Sequence, residues 1–272
     1  MRVESILDLV GNTPVIGIHT LSPNKNIKIY LKLEGQNPGG SIKDRAAVSM
    51  IEAAEKSGEL KAGGTVLESS SGNTAIGLAL VCKLKGYHLV IVLSENVTTE
   101  RKELLKSYGA EIIYSDGSKG SNGAIAKAKE VKKENPDWIL LYQYGNSANV
   151  DAHYKTTGPE ILKDIPEIDV FAAGLGTSGT LMGVSKFFKE NKPEVKIIAI
   201  EPPVGETITA LRSLDEGFIP DIFVDTLIDR RIIVRSKESI EVTRRLLDEC
   251  GIFVGVSTGA VVSGALKVAS TM

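Results

Sequence analysis

One lysine of the chain lies in a segment that could supply a reactive amine. Residues 37–45 have the sequence Asn-Pro-Gly-Gly-Ser-Ile-Lys-Asp-Arg. Asn-Pro and Gly-Gly are typical of turns, and Ser41 followed by Asp44 resembles a helix capping box. This spacing predicts that Lys43 lies in a first helical turn, where the helix dipole disfavours its charge. An amine with a lowered pKa is suited to Schiff-base chemistry, although a solvated surface lysine would fit the same segment.

Three further loops share one design, in which a predicted strand leads into small polar residues that open a helix. They are residues 70–74 (Ser-Ser-Gly-Asn-Thr), 174–180 (Gly-Leu-Gly-Thr-Ser-Gly-Thr) and 257–259 (Ser-Thr-Gly). Backbone N–H groups and hydroxyls at a helix N-terminus bind anions such as carboxylate or phosphate. Each loop by itself is compatible with a plain helix cap, but the set together with the lysine segment favours ligand binding.

The loop at residues 174–180 also satisfies the dinucleotide-binding fingerprint. Gly174, Gly176 and Gly179 have the required spacing, and Glu201 follows about 20 residues later at the end of the next predicted strand. A nicotinamide-dependent dehydrogenase is therefore a competing interpretation. That interpretation leaves the lysine segment and residues 70–74 without a role. No Walker lysine follows the loop, which disfavours a P-loop NTPase.

The elements that must position these groups alternate between short apolar strands and amphipathic helices. This alternation indicates parallel βαβ units and an α/β fold, with ligands at the carboxyl ends of the strands. The predicted strands span residues 27–33, 65–68, 88–93, 111–114, 138–142, 170–173, 196–200 and 252–256.

Length and composition exclude several other classes of protein. The 272 residues suffice for one large or two smaller α/β domains. The net charge of −2 and the 5% aromatic content disfavour nucleic-acid binding and an anionic membrane surface. No apolar run approaches the ~20 residues of a membrane helix, and no signal-peptide core follows Met1. Cys82 and Cys250 lack metal or redox spacing, so we expect no metal site and a reducing cytoplasm.

Five motifs, in order along the chain, resemble the cysteine synthase family. These are fold-type II pyridoxal-phosphate enzymes, which also include cystathionine β-synthase. The motifs are residues 37–45, 70–74, 142–146 (Tyr-Gln-Tyr-Gly-Asn), 176–180 and 255–260 (Gly-Val-Ser-Thr-Gly-Ala). Residues 120–122, 153–154 and 210–220 are similar to the cysteine synthase B type, in particular its O-phosphoserine-using bacterial members.

The resemblance implies a fold of two α/β domains with an active-site cleft between them. The smaller N-terminal domain would comprise residues 1–12 and 35–146. The C-terminal domain, which binds the cofactor phosphate, would comprise residues 13–34 and 147–272. The resemblance also implies a homodimer.

The resemblance further implies how pyridoxal 5′-phosphate is held. Lys43 matches the catalytic Schiff-base lysine, and Asn73 matches the residue that hydrogen-bonds the cofactor's phenolic oxygen. Ser257 matches the hydroxyl that faces the pyridine nitrogen. The phosphate cup is matched by Gly176, Thr177, Ser178, Gly179 and Thr180, with Ser178 at a position where many members have glycine.

Residues that would bind the amino-acid substrate follow from the same resemblance. The substrate α-carboxylate is assigned to Ser70, Ser71, Gly72, Thr74 and Gln143. The leaving group is assigned to Arg212, with Ser121 assisting. A phosphate leaving group carries close to two negative charges and matches a guanidinium fork bidentately, which favours O-phosphoserine over O-acetylserine.

The activity implied is a β-replacement that makes L-cysteine from an activated serine and a sulfur donor, through an aminoacrylate. The donor could be sulfide, thiosulfate or a protein thiocarboxylate. A serine/threonine dehydratase of the same fold type is the nearest alternative, and the dehydrogenase is a more distant one. A catalytically silent relative is a third, against which the intact Lys43 argues.

Overall fold

The chain alternates strands and helices along most of its length in the computed structural model, which describes residues 2–272. The strands are β1 (Val15–Gly17), β2 (Tyr30–Lys32), β3 (Thr65–Ser69), β4 (His88–Ser94), β5 (Glu111–Ser115), β6 (Ile139–Leu140), β7 (Val170–Gly174), β8 (Lys196–Glu201) and β9 (Arg230–Ile233). The helices are α1 (Lys43–Ser57), α2 (Asn73–Lys85), α3 (Thr99–Ser107), α4 (Gly120–Glu134), α5 (Ser147–Ala152), α6 (Gly158–Asp164), α7 (Gly179–Asn191), α8 (Ser236–Cys250) and α9 (Val256–Ala269). A π-helical segment, His153–Thr157, joins α5 to α6. Within residues 2–272, no helix is both long and apolar enough to cross a lipid bilayer.

The chain divides into two compact units. The first comprises Met1–Gly11 and Glu34–Asn149, and the second comprises Asn12–Leu33 and Val150–Met272. The chain therefore enters the second unit early, returns to the first, and then completes the second.

The first unit is built on a parallel sheet of strand order β5-β4-β3-β6. Successive residues of β3 enter different clusters: Val66 packs with Met50 of α1 and Leu78 of α2, and Leu67 packs with Val131 of α4. Helices thus cover the sheet on both sides, which explains why its strands are nearly continuous apolar runs. β3 ends at Ser69, so residues 70–74 lie at its carboxyl end.

The second unit contains a parallel sheet of order β7-β8-β9 and a separate antiparallel ribbon, β1-β2. Consecutive residues of β8 pack in different hydrophobic clusters. Ile197 lies in the cluster that contains Phe188 of α7, and Ile198 lies in the cluster that contains Val268 of α9. β7 ends at Gly174, and the glycine-rich loop that follows it leads into α7.

The predicted strand over residues 252–256 is wrong. Residues 251–255 have no regular structure, and α9 begins at Val256. Ile252 and Val254 are half-buried and pack against the cluster that contains Leu246 of α8. The apolar alternation that suggested a strand therefore reflects packing of an extended loop, since alternation alone does not supply a strand partner.

Candidate active site

The lysine segment forms a tight turn that leads directly into α1. Gly39 donates its N–H to Asp44 Oδ2, and a Cβ on Gly39 would lie 2.5 Å from Asp44 Oδ1. Ser41 Oγ accepts from the N–H of Lys43 at 3.2 Å. The predicted capping box is therefore wrong, because Ile42 rather than Ser41 is the N-cap of α1 and Asp44 bonds to Gly39 rather than to Ser41. Lys43 is the first residue of α1 and lies in the first helical turn, as predicted.

Burial lowers the pKa of Lys43 to about 8, while the Glu34 carboxylate acts in the opposite direction. The direction agrees with the prediction, but loss of hydration rather than the helix dipole is the main cause. Arg45 holds Glu34 through two parallel hydrogen bonds of 2.8 Å, from Nε and Nη2. At a pKa of about 8, about a tenth of the Lys43 amine is neutral at pH 7. A neutral amine is the form required of a nucleophile or a general base.

The loop at residues 70–74 presents backbone donors at the start of α2. Gly72 is the N-cap of α2 and has no side-chain cap bond, and its N–H donates to Ser70 Oγ at 3.3 Å. Asn73, the first helical residue, is exposed. Arg101 of α3 donates to the carbonyl oxygen of Ser71 at 3.0 Å. This loop therefore has the donors needed for a carboxylate, and α3 ties it down from one side.

The structure brings Thr74 and Gln143 together, although 69 residues separate them in the chain. Thr74 Oγ1 donates to Gln143 Oε1 at 2.7 Å, and Gln143 Nε2 donates to the carbonyl oxygen of Ser69 at 3.3 Å. Both side chains are buried. Because an amide nitrogen carries two hydrogens, the second N–H of Gln143 remains for a ligand.

Glu68 is a residue of this site that the sequence analysis missed. Its side chain is fully buried, and its carboxylate accepts the N–H of Ser69 at 2.9 Å and the N–H of Gln143 at 3.1 Å. One carboxylate thus joins the end of β3 to the loop that carries Gln143. An acid at the end of an otherwise apolar strand was the signal that could have revealed it. Burial raises the pKa of Glu68 to about 7.

Replacing Glu68 by glutamine should change how stability depends on pH. A carboxyl whose folded-state pKa is raised favours folding below its unfolded-state pKa and loses that contribution as pH rises through the folded value. The wild-type free energy of unfolding should therefore fall, relative to Glu68→Gln, between about pH 4.5 and pH 7, by roughly 3 kcal/mol over that range.

Urea unfolding of the apo protein at several pH values would measure this difference. The exposed Glu59 provides the matched control, since Glu59→Gln should show no pH-dependent difference from the wild type. A constant difference between Glu68→Gln and wild type across this pH range would contradict a raised pKa at Glu68.

The glycine-rich loop of the second unit forms a compact cradle at the start of α7. A Cβ on Gly176 would collide with the carbonyl oxygen of Ala210, so only glycine fits there. The loop is closed further by the N–H of Arg212, which donates to the carbonyl oxygen of Leu175 at 2.8 Å. The first backbone N–H groups of α7 have no intrahelical partners and face the loop, as in other anion sites at helix N-termini.

Ser178 provides a test of whether this cradle fits a phosphate group. Its backbone is left-handed (φ +74°), a conformation that favours glycine and accounts for the glycine of many family members. Its hydroxyl is buried and has no hydrogen-bond partner among the residues that the structure describes. A buried hydroxyl without a partner is costly unless a ligand satisfies it. The loop therefore fits a phosphate in both shape and donors.

Arg212 lies on the segment that closes the cradle. Ala210, two residues earlier, also has a left-handed backbone (φ +72°), and the Arg212 guanidinium stacks on the Phe218 ring, 4.3 Å from its centroid. Two acids follow Arg212 closely in the chain. Asp215 pairs with Arg231 at 3.1 Å, and Glu216 accepts the N–H of Gly205 at 3.1 Å.

The remaining predicted residues also occupy helix starts. Thr177 is buried in the cradle, and Gly179 and Thr180 open α7. Ser257 is half-buried in the first turn of α9. Ser121 is an exposed residue in the first turn of α4. Each therefore lies at or just before the N-terminus of a helix, where backbone donors are available to a ligand.

Glu201, which completes the dinucleotide fingerprint, has a structural role in this fold. It is fully buried, and its carboxylate accepts from Arg231 Nε and from the N–H of Leu214, the latter at 2.9 Å. Both oxygens are thus engaged by protein donors. Glu201 is therefore not available to accept a hydrogen bond from a ribose hydroxyl, as the dehydrogenase interpretation requires.

The lysine turn, the loop after β3 and the glycine-rich cradle contain the residue types that a pyridoxal-phosphate enzyme requires. The chain belongs to the PALP family, described as pyridoxal-phosphate dependent enzymes, which it matches over residues 6–272. This membership confirms the resemblance, the fold-type II α/β class and the cofactor, and it excludes the dehydrogenase.

The chain is similar to several enzymes in both sequence and structure. A cysteine synthase of Staphylococcus aureus (strain Mu50 / ATCC 700699) is 42% identical over 279 residues, covering 99% of this chain and 90% of that protein. O-ureido-L-serine synthase superposes with a TM-score of 0.94 at 35% identity, covering 100% of this chain and 88% of the other. O-acetyl serine sulfhydrylase isoform 3 of Entamoeba histolytica superposes with a TM-score of 0.93 at 35% identity, covering 99% of this chain and 84% of the other.

Proposed function

We propose that this protein makes L-cysteine by β-replacement, exchanging the leaving group of an activated serine for a sulfur nucleophile. The observation that carries the proposal is Lys43, whose pKa of about 8 makes it a usable amine at the start of α1. The name of the S. aureus relative, cysteine synthase, supports the same activity.

Three sets of residues would hold the cofactor. Lys43 holds it covalently, Asn73 bonds its phenolic oxygen, and residues 176–180 bind its phosphate. When bound, pyridoxal phosphate supplies an electron sink for the negative charge that develops at the substrate's α-carbon. Ser257 would offer a hydroxyl to the pyridine nitrogen, and a hydroxyl would not keep a proton there as an aspartate would. The weaker sink favours loss of the β-leaving group over reactions that need a long-lived carbanion.

The chain's own residues then bind the amino acid and move its proton. Residues 70–74 and Gln143 donate hydrogen bonds to the α-carboxylate. Lys43, once its amine is released, removes the proton from the α-carbon as a general base. Its pKa of about 8 suits this step, because a base titrating close to the working pH is both available and strong enough to accept the proton.

Replacing Gln143 by alanine should weaken binding of the amino-acid substrate by about 1.5–3 kcal/mol, the range for a hydrogen bond to a charged group. The change in the visible spectrum on titration with substrate measures this affinity. The exposed Gln36 is the matched control, and Gln36→Ala should bind as the wild type does. Unchanged affinity in Gln143→Ala would restrict Gln143 to holding Thr74 and Ser69 in place.

We propose O-phosphoserine as the preferred activated serine, with Arg212 holding its phosphate and Ser121 assisting. The stacking on Phe218 orients a planar guanidinium, and the backbone bond to Leu175 anchors the residue beside the cradle. A phosphate leaving group matches this guanidinium in charge and in planar geometry, whereas an acetyl group carries no charge. The rival leaving group is that of the E. histolytica relative, named for O-acetyl serine.

Product analysis tests the proposed reaction directly. The holoenzyme is given O-phosphoserine with sulfide, thiosulfate or a protein thiocarboxylate. The β-replacement product is measured beside ammonia and keto acid: free cysteine from sulfide, S-sulfocysteine from thiosulfate, or a cysteine adduct of the thiocarboxylate protein. Formation of one of these products supports β-replacement and identifies the sulfur donor. Keto acid and ammonia, formed equally with or without a sulfur donor, would instead identify a serine/threonine dehydratase. Sedimentation of the same sample tests the homodimer that we also propose.

A further inference from the structure

A buried histidine lies behind the phosphate cradle, within the second unit. His153 is fully buried and begins the π-helical segment between α5 and α6. Its Nδ1 is 2.9 Å from Thr157 Oγ1, and its Nε2 is 3.2 Å from Thr180 Oγ1. π-Helical turns are rare and occur frequently at functional sites. The imidazole therefore connects two hydroxyls, one of which belongs to the predicted cradle.

Close packing of α7 on this segment fixes the ring. A Cβ on Gly183 of α7 would lie 2.7 Å from the Cβ of His153 and 2.8 Å from the backbone nitrogen of Tyr154. Glycine at this position allows the first turns of α7 to approach the π-helical segment. This close approach of the two backbones brings the imidazole within hydrogen-bond distance of the Thr180 hydroxyl.

The position of one proton decides what the Thr180 hydroxyl can do. A neutral imidazole has one N–H donor and one acceptor nitrogen. If Nδ1 carries the proton, Nε2 accepts the hydroxyl hydrogen of Thr180, which is then unavailable to an anion. If Nε2 carries the proton, it donates to Thr180 Oγ1, and the hydroxyl hydrogen of Thr180 remains available to an anion in the cradle.

We propose that His153 is a positioning residue for the cofactor phosphate: Thr157 donates to Nδ1, Nε2–H donates to Thr180, and Thr180 donates to the phosphate. The proposal rests on the proposed role of residues 176–180 as the phosphate cup. In this arrangement the hydrogen bond from Thr157 keeps Nδ1 unprotonated, and the proton on Nε2 orients the Thr180 hydroxyl toward the anion before it binds.

The test compares pyridoxal phosphate with pyridoxal, which lacks the phosphate, as ligands of the full-length apo protein. Thr180→Val should weaken pyridoxal phosphate roughly 10- to 100-fold, as expected for one hydrogen bond to a charged group, and leave pyridoxal unchanged. Thr157→Val should show the same selectivity with a smaller loss, about 3- to 10-fold, and Thr157→Ser should restore binding.

A matched control and a double variant separate positioning from general structural damage. Thr156 is adjacent but exposed, and its hydroxyl donates to the Ala152 carbonyl oxygen at 2.6 Å, so Thr156→Val should bind both ligands as the wild type does. Because Thr157 acts through Thr180, adding Thr157→Val to Thr180→Val should cause no further loss. In the holo protein, the ¹⁵N shifts of His153 should show a protonated Nε2 and an unprotonated Nδ1.

Each contrary result has a distinct meaning. Equal weakening of both ligands by Thr157→Val, additive losses in the double variant, or a proton on Nδ1 alone would overturn the role of His153. A selective loss in Thr180→Val with none in Thr157→Val would overturn this inference while leaving the cup intact. Absence of a selective loss in Thr180→Val would overturn the cup assignment itself, and this inference with it.

Discussion

Replacing Lys43 by alanine should abolish the covalently bound cofactor and lower turnover by more than about 10²-fold, because one side chain serves as both covalent anchor and general base. Its lowered pKa and its place at the start of α1 make it the expected amine. The loss would be visible as a missing absorption band of the bound cofactor. Borohydride reduction of the wild type, followed by peptide mapping, should place the label on Lys43.

A lysine of the same helix provides the control for this experiment. Lys56, in the last turn of α1, is exposed, and Lys56→Ala should keep both the absorption band and the activity. A borohydride label on any lysine other than Lys43 would refute the assignment. A coloured, active Lys43→Ala protein would do the same.

Replacing Arg212 by alanine should lower kcat/KM for O-phosphoserine by roughly 10- to 100-fold and change that for O-acetylserine little. The reason is charge: a phosphate near neutral pH carries close to two negative charges, whereas an acetyl ester carries none. Arg212→Lys should recover part of the loss, since it keeps the charge but not the planar fork or the stacking on Phe218.

Arg230, which is exposed at the start of β9, is the matched control. Arg230→Ala should have the same kcat/KM as the wild type for both O-phosphoserine and O-acetylserine. An equal loss on both substrates in Arg212→Ala would make Arg212 a structural residue of the segment beside the cradle. A wild-type preference for O-acetylserine would rule out the proposed leaving group.

Local elements and their order were predictable from the sequence because short-range rules govern them. Apolar runs of four to six residues bounded by polar loops located β3 to β8, since a parallel strand covered on both faces needs no polar side chain. The edge strand β9 (Arg230–Ile233), which begins with two exposed arginines, was missed. Small polar residues after β3 and β7 located the loops that begin α2 and α7. These loops carry most of the candidate site, so the motif match and the fold agree there.

The sequence-based predictions failed where a segment needed a strand partner from elsewhere in the chain, or where a nearby backbone group competed for the expected hydrogen bond. Residues 252–256 alternate as a strand does, but no sheet partner lies beside them, and the segment packs as a loop. Asp44 has the spacing of a capping residue, yet it bonds to Gly39 because the turn brings that N–H closer. Pattern rules describe what a segment can form, whereas the available partner decides what it does form.

The sequence by itself determined the family and identified the candidate lysine and the three candidate anion-binding loops, because each depends on residue types at short spacing. Only the tertiary structure decided the pKa values and the hydrogen-bond partners of those groups. Burial, which no local spacing encodes, sets the pKa values of Lys43 and Glu68. Contacts between segments far apart in the chain pair Thr74 with Gln143 and His153 with Thr180. A shifted pKa requires a low dielectric, and a specific hydrogen bond requires a fixed distance. Both arise only when the chain packs.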